Sequence, residues 1–105
     1  MADVVIVLTT VPSSQHEVIA RALVEERLAA CVNALPPVTS FYRWKGLLEQ
    51  DSEQPLIIKT LRARLPALEG RLRELHPYEL PEFLVVDVAG GSEVYLAWVR
   101  ANVEL

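Results

Sequence analysis

The chain has 105 residues, 51% hydrophobic and 23% charged, which fits one globular domain over residues 1–105 and excludes a disordered polypeptide. The formal charge is −4, and no basic block or basic helix offers the phosphate-facing patch that nucleic acid requires. No run approaches the roughly 20 apolar residues of a bilayer span, so neither nucleic acid nor membrane is an expected partner.

Val4 to Thr10 reads as the first strand, with branched residues on both faces, as an interior strand carries them. Met1-Ala2-Asp3 before it lacks the basic lead of a secretory signal. Ser14 and Glu17 have capping-box spacing for a helix that runs to about Ala30. Val18, Ile19, Ala22, Leu23 and Ala30 form its apolar stripe. Cys31 follows; as the single cysteine it forms no intrachain disulfide, which suits a reducing compartment and the cytoplasm.

Val32 to Leu61 predicts two long strands joined by a turn near Gln50, Asp51 and Ser52. Pro36-Pro37 removes two ladder donors, so the first arm divides there into two pieces. The arms carry Val38, Phe41, Tyr42, Trp44, Leu47 and Leu48, then Leu56, Ile57 and Ile58. An apolar hairpin overhanging so small a domain needs another surface to cover it, which predicts an oligomer. A second helix spans about Ala63 to Leu75, with Pro66 in its first turn and Gly70 as a mark of close packing. Phe83 to Val88 is a further strand, and a last helix begins after a Ser92 cap, with Tyr95 and Trp98 as its aromatic core. The order is α+β: a ferredoxin-like split βαβ sandwich with an extended hairpin and an added C-terminal helix.

His76 is the leading candidate for chemistry, with Tyr78, Glu79 and Glu82 close by in sequence. Imidazole and carboxylates suit a divalent metal, while a helix-end histidine also satisfies carbonyls. Tyr42, Arg43, Trp44 and Lys59 suggest a cleft for a carboxylate or phosphate, with Lys59 as the anchoring cation; sheet protection is the plain alternative for Lys59. Cys31 reads as packed core. A Cys31–His76 hydrolase or transferase pair stands as a remote alternative without a local signature. Glu49, Asp51 and Glu53 read as a solvated hairpin tip.

The segments Leu23–Asn33, Ser40–Gly46, Ile58–Thr60, His76–Glu82 and Tyr95–Val99 together resemble the CutA divalent-ion-tolerance family, in order and over nearly the whole chain. The resemblance implies a cytoplasmic, non-enzymatic homotrimer linked to divalent metal, copper above all, with hairpins wrapping adjacent subunits. It implies His76 as a metal ligand. The cysteine and second histidine that a copper-binding member uses are replaced here by Thr9 and Leu75, and neither side chain can stand in for thiolate or imidazole. The expected reading is therefore a trimer with modest metal coordination and no required cofactor. The alternative is a binding or signalling trimer holding a small anion in an inter-subunit cleft of Tyr42, Trp44, Lys59, Tyr78 and Glu82.

Overall fold

The computed structural model describes residues 3–104, so the reading of Met1-Ala2 lies outside the described residues. The elements are β1 (Val4–Val11), α1 (His16–Glu25), β2 (Cys31–Ala34), β3 (Val38–Trp44), β4 (Leu47–Leu61), α2 (Leu65–Leu75), β5 (Leu84–Asp87) and α3 (Glu93–Val103). The antiparallel sheet runs β2-β4-β1-β5, and β3 pairs with the outer half of β4. This is the ferredoxin-like plan, with the divided first arm that Pro36-Pro37 predicts.

Period-two alternation explains the layers. Val5, Val7, Thr9 and Val11 on β1 are buried, while Ile6, Leu8 and Thr10 are half-buried. Val7 and Val11 meet Ile19 and Leu23 of α1, Leu56 and Ile58 of β4, and Leu68 and Leu72 of α2. Each such side chain contributes about 1.5–3 kcal/mol on burial. On the opposite face, Val99 and Val103 of α3 pack on Val4, Ala30 and Leu61. The rest of that face, with Leu8, Ile57, Leu84 and Val86 in register, lies beyond this second core.

The hairpin turn lies at Lys45-Gly46, not near Asp51. Lys45 (φ 50°) and Gly46 (φ 82°) are both left-handed, the pattern of a two-residue turn matched to strand twist. Asp51 and Ser52 sit inside β4, opposite Ser40 and Thr39. Polar residues are inexpensive there because most side chains of this ribbon are exposed in the single chain. The long arm is therefore the second: β4 has 15 residues. It draws the molecule out to 45 × 25 × 24 Å, with a Cα radius of gyration of 14.3 Å, against about 13 Å for a compact chain of this length.

Four further expectations change. α1 stops at Glu25, because Arg27 (φ 58°) takes the left-handed position usually given to glycine. Leu28 N–H then reaches Leu23 C=O at 3.0 Å and Arg27 N–H reaches Val24 C=O at 3.1 Å, the paired bonds of a Schellman stop. The Ser14 capping box does not form: a 3-10 turn over Ser13–Gln15 precedes α1, without a side-chain cap. Gly70 faces open space and marks no close approach. Ser92 does cap α3, its Oγ accepting from Tyr95 N–H at 3.3 Å. Tyr95 and Trp98 lie outside the core, 43% and 44% exposed, stacked at 5.5 Å.

Candidate functional site

The segment after α2 builds one wall of a cleft, and His76 holds it in place. His76 ends α2 in an extended conformation, its N–H donating to Leu72 C=O at 2.8 Å. Its ring is buried. Nδ1 accepts from Tyr78 N–H at 3.2 Å, which leaves the proton on Nε2 to donate to Thr10 C=O at 2.7 Å. Both ring nitrogens of a neutral imidazole are thereby used. His76 pins the proline-braced loop to the end of β1, and its ring lies 4.5 Å from that of Tyr78. Metal ligation at His76 requires one of these hydrogen bonds to break.

The facing wall comes from one face of the hairpin, from Glu53 at its root to Trp44 at its last pair. Tyr42 and Trp44 of β3 and Asp51 and Glu53 of β4 look across at Tyr78, Glu79, Glu82 and Phe83. The cleft between them has a volume of about 720 Å³. Glu53 is not at a solvated tip; it is 8% exposed, at the root of the hairpin opposite Val38. Four of the five residues expected in a shared cleft, Tyr42, Trp44, Tyr78 and Glu82, line this one within a single chain.

Lys59 does not line it. It lies on β4 between β1 and β2, in the sheet interior rather than at an edge, with Nζ 5.8 Å from the ring centroid of Tyr95. The cleft is acidic instead. Asp51, Glu53, Glu79 and Glu82 line it, with Arg43 the one basic residue beside them. The Tyr42 hydroxyl donates to Asp51, and that bond pushes its phenol up to about 12. Burial, then the Glu53 carboxylate, pushes Tyr78 up to about 12. Burial, then the charge of Glu53, raises the Glu82 carboxyl above its ordinary range. Sequence reasoning missed Glu53 because it was placed beside the wrong turn; its register with Val38 follows once Lys45-Gly46 is taken as the turn.

Cys31 is half-buried, outside both cores, and its thiol faces Asn33 Oδ1 at 3.7 Å. It stands level with Lys59 and hence with Ile6, whereas His76 is bonded to Thr10. Four residues of strand separate those levels, roughly 13 Å at strand rise, so no Cys-His pair forms. Thr9 is buried, with a hydroxyl that has no hydrogen-bond partner among the described residues. Leu75 packs against the helix-side core. Among the described residues, no three His, Cys, Asp or Glu side chains gather where they would hold a metal ion.

Comparison with known proteins matches residues 5–102 to the CutA1 divalent ion tolerance protein family. The divalent-cation tolerance protein CutA of Thermus thermophilus is 49% identical over 98 residues, which cover 92% of this chain and 95% of that one. Human protein CutA is 51% identical over 82% of this chain, which spans about half of that relative (48%). The crystal structure of CutA from Xylella fastidiosa superposes with a TM-score of 0.94 at 43% identity, covering 98% of this chain and 100% of that one. An Archaeoglobus fulgidus CutA structure, described as a periplasmic divalent cation tolerance protein, superposes at 0.92 with 31% identity over 96% of this chain and 99% of that one. With a family model spanning nearly the whole chain and a fold shared throughout, the protein belongs to the CutA1 divalent ion tolerance family.

Proposed function

We propose that this protein serves divalent-cation tolerance as a cytoplasmic homotrimer that binds rather than catalyses. The observation that carries the reading is uncovered apolar surface. Phe41 and Leu48 on the hairpin are 65% and 74% exposed, and Leu84 on the open sheet face is 56% exposed. Large apolar side chains left this exposed mark an interaction site. The family's divalent-ion name supports the task, and the lone free thiol of Cys31 suits a reducing compartment. Sedimentation velocity at micromolar concentration tests the assembly: a species of three chains is expected, and a stable single chain overturns it. Metal contact, copper first, is a modest event at His76 that displaces Thr10 or Tyr78. Titration under reducing conditions with a competing chelator should show weaker binding in His76→Ala; equal binding removes His76 from the reading.

A second reading, a small-ligand-binding trimer, is favoured by the cleft itself. It is concave, aromatic on both walls and carries a few convergent polar groups, as ligand sites do. The anion first expected there lacks its cation, since Lys59 lies elsewhere.

A further inference from the structure

The cleft has the make-up of a site for an organic cation. Its aromatic surface comes from both sides: Tyr42 and Trp44 from the hairpin, Tyr78 and Phe83 from the loop after α2. An aromatic face attracts an ammonium group through the ring quadrupole, more strongly where water is excluded. Within the same walls lies Glu53, more than nine-tenths buried. No ion pair among the described residues includes it. Its neighbour is the neutral phenol of Tyr78. A carboxylate set among aromatic rings, with no cation paired to it, is a receptor for an ammonium group. Glu82, across the cleft, feels the Glu53 charge. Arg43 does not resolve this: its guanidinium is exposed and turned to Gly46 C=O at 3.4 Å.

A cation is therefore the occupant that these carboxylates and rings suit, and two kinds compete. A divalent metal needs several hard ligands converging on one point, and no such convergence exists among the described residues. An amine needs one or two carboxylates for its head and apolar walls for its body, and both are present. We infer that this cleft binds an aliphatic amine, with Glu53 and Glu82 receiving the ammonium group and Tyr42, Trp44 and Tyr78 enclosing its methylenes. The inference deepens the small-ligand reading and rests on it.

The test is calorimetric titration of the assembled protein with 1,4-diaminobutane at fixed ionic strength, with calcium chloride and sodium chloride as parallel arms. Saturable binding of the diamine, with neither salt reproducing it, is expected. Glu53→Gln preserves shape and should weaken binding about tenfold or more; Trp44→Leu should weaken it as well, by removing the ring face. Diamine heats no different from sodium chloride overturn the inference, as do calcium heats equal to those of the diamine or an unchanged affinity in Glu53→Gln. Thermal denaturation of each variant shows whether it folds. Trp98→Phe, on α3 and outside the cleft, leaves one tryptophan: fluorescence of Trp44 should then follow the diamine, and a flat signal with calorimetric binding places the amine elsewhere and overturns the assignment. Sedimentation of the same samples separates the claims: an intact trimer that ignores the diamine defeats the ligand class alone, and a single chain that binds it defeats the assembly alone.

Discussion

The inner half of β4 and its outer half are one continuous strand in two different solvents. From Leu56 to Thr60 the side chains alternate between buried and half-buried, held between β1 and β2 and roofed by helices. From Leu47 to Ser52 the paired strand is β3, and leucines and acids alike are mostly exposed. The backbone pairing is the same in both halves. Stability differs because alternation is imposed by a covering layer, and a two-stranded ribbon in water is marginal by itself.

Truncation in the two halves gives the largest contrast. Ile58→Ala empties fully buried space at the centre of the core, and should cost about 2–5 kcal/mol by chemical denaturation. Leu48→Ala, on the exposed ribbon, should change the stability of the single chain by no more than about 0.5 kcal/mol. Its effect should instead appear in sedimentation, as weaker association. A concentration-independent loss as large as that of Ile58→Ala would break the comparison.

Glycine substitutions sharpen it at an intermediate scale, through the sign. Gly46 holds φ 82° at the ribbon tip with open space around it. Gly46→Ala should therefore destabilise by about 1 kcal/mol through backbone strain alone. Gly70, also in open space but inside α2, has no such constraint. Gly70→Ala should stabilise by up to about 1 kcal/mol. Melting midpoints that move in the same direction for both would contradict the assigned turn.

The smallest effect is expected where the two regions meet. The pKa of Glu82 is raised in the folded protein, so its favourable contribution belongs to the protonated form. That contribution is complete below the ordinary carboxylate range and is lost as pH rises through the folded value. Glu82→Gln should raise the melting midpoint slightly at pH 7, with the gain shrinking towards pH 4. A gain that grows on acidification would reverse the assignment.

These differences also explain what the sequence made legible. α2 was readable because a covering layer wrote a period into it, as in Leu65, Leu68, Leu72 and Leu75, and β1 and the inner part of β4 because their apolar runs serve two covered faces. The end of α1 was not, because Arg27 occupies the left-handed stop without glycine to announce it. In the ribbon, Asp51-Ser52 resembles a turn in composition, while Lys45 is an unusual first residue for the turn that forms. That misplacement hid Glu53. Tyr42, Trp44, Tyr78 and Glu82 were identifiable as chemistry-bearing residues. The segregation of Lys59 from them was not, because it depends on which face of β4 each residue takes.

The two-residue tip has a consequence for how this ribbon can change over time. Each added or lost position on one arm slides every pair beyond it and exchanges wetted for covering side chains. A matched gain of one residue in both arms restores the pairing but turns the distal surface over. Lengthening that preserves what the ribbon presents must therefore proceed by two residues per arm, a quantised path that narrows the indels the lineage can accept between Val38 and Glu53.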